Sequence, residues 1–225
     1  MECHGQAPGF FGKLPSHGDF VGRRLPPEVR QCLDDWLQRA LVRSKAELGL
    51  AWLATWGSSP LWRFVIGAGV CGEQAWAGVM MPSADRVGRC FPLLLTAPVD
   101  GTPSRGACLT RHGGWFDRLE ALALSALDQE FSLDAFDAAL AAAGDGPCAG
   151  TTTGCVRTPA PARVMTPCAA TLKQPDALTG QSAWWGAGSP AVAPCVALYP
   201  GLPAPAHFAA LLDGCWAERG WIVDM

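Results

Sequence analysis

The sequence contains no asparagine and only three lysines, Lys13, Lys45 and Lys173; the other fourteen positive charges are arginines. That bias, joined to abundant alanine, is the mark of a GC-rich genome, so arginine richness by itself is not a binding signal. Charge of either sign is sparse: 16% of residues are charged and the formal net charge is −3. A nucleic-acid backbone is held by clustered cations, and with no basic stripe here nucleic acid is not expected as a partner. Blocks of like charge, the sign of a disordered tail, are missing too. Long apolar stretches are absent: Phe91–Val99 is among the longest, against the roughly 20 residues a membrane span needs. Met1–Gly18 has neither a basic nor an apolar leader segment, so no secretory signal is read there and a cytoplasmic location is expected.

Cysteine is plentiful, ten in all, but unpatterned. No Cys-x-x-Cys occurs. Cys148, Cys155 and Cys168 share a Gly/Pro/Thr-rich stretch without the histidine pair that zinc spacing requires. Disulfide frameworks belong to short secreted chains. The expectation is therefore free thiols throughout, with Cys90 and Cys195 inside apolar runs acting as small hydrophobes, and no metal or other cofactor.

What the chain does have is 225 residues with 49% hydrophobic content. A single domain over residues 1–225 can bury roughly 70–75% of its unfolded surface. Gly9–Gly12 reads as a short strand, and the turn-rich Lys13–Phe20 as a loop. Pro26-Pro27 opens an amphipathic helix of about 17 residues, with Val29, Leu33, Trp36, Leu37, Ala40 and Leu41 on one face. Leu61–Gly69 and Ala75–Met81 read as a β-hairpin. After the loop Pro82–Arg89, the unbroken apolar run Phe91–Thr96 fits a central strand covered on both faces. Trp115–Leu127 and Leu133–Ala143 read as helices, the second capped by Ser132. Gly144–Pro167 lacks periodicity and reads as a long loop. Short strands at Ser182–Trp185 and Cys195–Tyr199, then a helix over Pro205–Cys215, complete a mixed α/β pattern.

Two motifs invite chemistry and are better explained without it. Gly67-Ala68-Gly69-Val70-Cys71-Gly72 matches Gly-x-Gly-x-x-Gly, but a strand follows where the dinucleotide fingerprint needs a helix. Ser16, His17 and Asp19 are triad residue types, yet a triad converges from separate segments, and no nucleophile elbow exists. Trp184-Trp185 places adjacent aromatics on opposite sides of a strand, one for the core and one for a helix or a partner.

Gly9-Phe10-Phe11-Gly12-Lys13-Leu14-Pro15, with Gly18-Asp19-Phe20-Val21 and Arg23, resembles the N-terminal signature of the TagF (ImpM) family of type VI secretion-associated proteins. Pro82-Ser83-Ala84-Asp85-Arg86-Val87-Gly88-Arg89, running into Phe91-Pro92-Leu93, is similar to that family's second signature, and Ser182-Ala183-Trp184-Trp185 to a weaker third. The resemblance implies a three-layer α/β/α sandwich with a mixed, partly antiparallel sheet. It implies a bacterial cytoplasmic regulator that restrains assembly of the secretion machine after translation, without catalysis. The implied partner is a forkhead-associated scaffold protein, with a link to the threonine kinase–phosphatase pathway. Some relatives carry a fused phosphatase domain, for which this chain is too short. The competing readings are an enzyme of unrecognised type, with a site at the Lys13/Asp19 and Asp85/Arg86 loops, and a structural subunit of the apparatus.

Candidate partner-binding or loop-locking residues are Lys13, Ser16, Asp19, Arg23, Ser83, Asp85, Arg86, Arg89, Trp184 and Trp185. The two signature loops are expected to meet, because shielded charges beside core strands need partners. Asp19 with Arg86 or Arg89 is the pairing expected first, and Lys13 with Asp85 second.

Overall fold

The computed structural model describes residues 6–101, 103, 112–144, 146–147, 161–166 and 178–224. Nine strands form one sheet among these residues: β1 (Gly9–Gly12), β2 (Val21–Arg23), β3 (Trp62–Ile66), β4 (Ala75–Met81), β5 (Leu93–Val99), β6 (Arg163–Met165), β7 (Gln181–Gly186), β8 (Cys195–Pro200) and β9 (Ile222–Asp224). Their order is β2-β1-β5-β4-β3-β7-β8-β6-β9. Every pairing is antiparallel except β6 with β9, so the sheet is mixed, as expected. The helices are α1 (Pro27–Leu48), α2 (Trp52–Ser58), α3 (Gly113–Ser125), α4 (Leu133–Ala141), α5 (Pro205–Phe208) and α6 (Ala210–Asp213). No helix among the described residues is long and apolar enough to cross a membrane.

Along the inner strands, side chains alternate between two separate apolar clusters, as a period of two dictates. Phe11 and Leu94 join Trp36 and Leu37 of α1, Trp52 and Trp56 of α2, Phe208 of α5 and Leu211 of α6. Their neighbours Phe10, Leu93 and Leu95 join Phe116 and Leu119 of α3 and Phe136 and Leu140 of α4. The expected central strand is central: β5 lies between β1 and β4 and is buried along its whole length. It starts two residues later than the apolar run, at Leu93, because Phe91 is held by the preceding turn through Phe91 N–H to Ser83 O at 3.0 Å.

α1 is longer than the periodicity indicated, 22 residues ending at Leu48 with Gly49 as its C-cap. Its last turns are held by Trp52, whose indole donates to the buried Ser44 hydroxyl at 2.8 Å. The Gly67–Gly72 motif is a turn inside the β3–β4 hairpin, closed by Gly69 N–H to Gly72 O at 2.8 Å, and not the entry to a helix. β2, β6, β9 and α2 are corrections to the sequence reading. Each strand of this group has three residues, too few to show a period, and β6 lies inside Gly144–Pro167, read as loop. The rest of that stretch falls largely outside the described residues.

The thiol expectation also needs correction. Cys32 of α1 and Cys71 of the β3–β4 turn form a disulfide, their Cα atoms 5.7 Å apart. The two lie 39 positions apart in sequence and share no motif, so only the packing of α1 over the hairpin brings them together. Cys90, Cys195 and Cys215 are free. Cys3, Cys108, Cys148, Cys155 and Cys168 lie outside the described residues.

Candidate functional site

The loops after β1 and before β5 leave the same end of adjacent strands, since Gly12 pairs with Leu93. That closeness depends on glycine. Gly12 has φ +146°, and a Cβ on it would sit 2.1 Å from the Pro92 carbonyl oxygen. The second loop is a tight hairpin closed by the Ala84–Cys90 bridge and by Gly88, whose φ of +84° is in the left-handed region. Asp85 organises it from inside. Its Oδ1 accepts from the Val87 amide at 3.1 Å and the Arg89 amide at 2.8 Å.

The two loops are then joined through charge. Lys13 Nζ lies 2.7 Å from Asp85 Oδ2, with both side chains almost wholly withdrawn from water. Arg89 Nε reaches the same oxygen at 2.6 Å, and its terminal nitrogen donates to Gly18 O of the first loop. The Ser83 hydroxyl donates to Lys13 O at 2.8 Å, and the Arg86 amide to His17 O at 2.9 Å. Phe20 folds back over this knot: the Lys13 ammonium sits 5.1 Å from its ring centroid, and the ring stacks on Phe11. From below, the Trp56 indole donates to Ser83 O at 3.2 Å.

Burial alone would push the Asp85 carboxyl up. The Lys13 ammonium, the Arg89 amide and guanidinium and the Val87 amide outweigh that effect and hold it well below the usual carboxylate range. A carboxylate that accepts four such bonds is a fixed anion.

The loops therefore meet as expected, with the order of pairings reversed. Lys13–Asp85 is the central contact. Asp19 is fully exposed and approaches Arg89 at only 4.0 Å. Arg86 joins through its backbone, its side chain lying exposed near Gly18. Ser16 bonds its neighbour His17, Oγ to Nδ1 at 2.9 Å, on the surface. Arg23 belongs to a different contact, reaching Asp137 at 2.6 Å and Asp134 at 3.0 Å on α4.

The tryptophan pair stands away from this knot. Trp184 is fully buried, with its ring against Trp36 and Phe64 and its indole donating to Ser182 Oγ. It cannot face a partner: it takes the core place that strand alternation gave one member of the pair, and its inclusion among the binding candidates is corrected. Trp185 turns to the opposite face and packs edge-on against Phe116 of α3.

Sequence reasoning gave Phe20 and Val87 no role of their own. They are 47% and 69% exposed at the outer surface of the joined loops, beside Arg86, Arg89 and Asp19. The available signal was an apolar side chain closing the first polar, glycine-shaped segment and another inside the second. Among the described residues, no three His, Cys, Asp or Glu side chains are placed to hold a metal ion.

Comparison with known proteins follows the same lines. No curated protein sequence matches this one. The crystal structure of PA0076 from Pseudomonas aeruginosa PAO1 is similar over 92% of this chain and 94% of that one, with a TM-score of 0.78 and 36% identity. The model of the TagF N-terminal domain, type VI secretion system-associated, matches residues 9–143, which run from β1 through α4 and contain both signature loops. The chain belongs to the TagF family of type VI secretion-associated proteins.

Proposed function

We propose that this type VI secretion-associated protein restrains the secretion machine after translation, by docking its joined signature loops on a forkhead-associated scaffold protein. The scaffold and its link to the threonine kinase–phosphatase pathway come from the family resemblance. The surface is argued from the site. One observation carries it: the charges inside the loops satisfy one another, which leaves a stiff outer face of Phe20, Val87, Arg86 and Asp19.

A face held rigid before binding loses little conformational entropy on contact, so its exposed apolar and charged groups contribute more fully to affinity. Phe20 and Val87 provide apolar area, and Arg86 a cation for a carboxylate or other anion on the partner. The saturation of Asp85 favours binding over catalysis at these loops. Accepting from Lys13, Val87 and twice from Arg89, it keeps no lone pair free for a proton in transit.

The reading is tested by deleting the gene in a strain with an active secretion system. Export of the system's substrates should rise while transcripts of the apparatus stay level. Unchanged export, or a rise explained by transcript levels, contradicts it.

A further inference from the structure

Cys32 and Cys71 occupy a place where a covalent bond has a mechanical consequence. Cys32 is half-buried on the first half of α1, and Cys71 is 3% exposed at the tip of the β3–β4 turn. Hydrogen bonds tie that turn to strand-end loops, Gly67 N–H donating to Gln181 O and Gly180 N–H to Ala68 O, each at 2.8 Å, while toward α1 it packs through Val70 and Cys71 in the apolar cluster of Leu33 and Trp36. Gly69 and Gly72 have φ of +86° and +99°, which gives the turn a backbone able to rearrange. Between the turn and the helix lies a groove of about 470 Å³, lined by Cys32, Trp36, Val70, Leu202 and Pro203 with Arg39 at its wall. Cys32 brings one sulfur of the disulfide to its wall.

We propose that Cys32–Cys71 is a reversible redox clasp, which fixes the β3–β4 turn against α1 when oxidised and releases it when reduced. In a reducing compartment the pair rests as two thiols. The partly accessible Cys32 thiolate attacks a low-molecular-weight disulfide, such as oxidised glutathione, forming a mixed disulfide and expelling one small thiolate. The Cys71 thiolate then attacks the Cys32 sulfur and expels the second. Two protein thiols become one disulfide, and one small disulfide becomes two thiols. Among the described free cysteines, burial pushes the Cys195 thiol up to about 12 and also raises Cys90 and Cys215, which lowers their thiolate fraction at neutral pH.

The experiment equilibrates the full chain in glutathione buffers running from reduced to oxidised, traps free thiols by alkylation, and maps peptides by mass spectrometry. Hydrogen exchange and melting are recorded on the same samples. The expected result is a Cys32–Cys71 cross-linked peptide in oxidised buffer that disappears in excess reduced glutathione. Closing a loop of 39 residues should raise the melting temperature by about 5–10 °C. Reduction should speed amide exchange at residues 67–72 and leave β5 unchanged, and Cys32→Ser should abolish every response to the buffer. A bond that survives excess reduced glutathione is a permanent staple and overturns the proposal. So does failure of the peptide to form in folded protein, or a redox response that persists in Cys32→Ser. The wild-type series decides the matter even if the variant does not fold.

Discussion

At the scale of single residues, the site is governed by one buried carboxylate. Replacing Asp85 with Asn removes the anion that neutralises Lys13 and Arg89. It leaves a shielded ammonium without a counter-charge, the costly half of a broken buried pair. Asp85→Asn should melt about 5 °C or more below wild type at neutral pH. The acid response gives a sharper test. A free aspartate titrates near pH 3.9, and the folded value lies lower. The stabilisation from this group is therefore fully present above about pH 4–5 and is lost as pH falls through the folded value. Asp137, held low against burial by Arg23 and Arg24, acts in the same direction and is common to both proteins. In urea unfolding series, the gap between wild type and Asp85→Asn should be constant from neutral pH to about pH 5 and narrow steadily as pH falls below about 4. A gap independent of pH would mean that Asp85 acts through shape and not through charge.

At the scale of elements, what was legible in the sequence followed from period and length. β4 and β5 stood out because long apolar runs inside a sheet have no solvent face to interrupt them. α1 stood out through its repeat at three and four, though its end was set by Gly49 and the Ser44–Trp52 hydrogen bond, which pattern does not reveal. β2, β6 and β9 were invisible because three residues carry no period; β2 pairs with the preceding β1, and β9 with β6, which is distant in sequence. The loops were legible as chemistry but not as geometry. Charges in glycine-shaped segments showed that partners were needed, while the choice of Asp85 over Asp19 rested on which carboxylate lies beneath the turn. Trp184 and Trp185 were correctly placed on opposite faces, and the core took Trp184. Trp184→Ala should cost about 3–5 kcal/mol, as large aromatic deletions in cores do. Denaturant unfolding would measure this, and a loss below about 1 kcal/mol would contradict the packing against Trp36 and Phe64.

At the scale of the whole molecule, one sheet separates two apolar clusters, and the chain directs its first two family signatures to one end of neighbouring strands. The disulfide between α1 and the β3–β4 turn is a separate device, built from different elements. Family membership rests on the matched domain and on the structural likeness to PA0076. The proposed regulatory role rests on whether the joined loops form a docking face. Arg86 and Val87 are the residues to change, because both side chains are exposed at the tip and neither side chain takes part in the Lys13–Asp85–Arg89 contact. The direct measurement is capture of the forkhead-associated scaffold from the native bacterium by wild-type protein and by a variant combining Arg86→Glu with Val87→Asp, with melting curves recorded for both. The expected result is capture by wild type and at least a tenfold loss in the variant, about 1.4 kcal/mol or more, at an unchanged melting temperature. Equal capture by a folded variant, or no capture by wild type, would contradict the docking face.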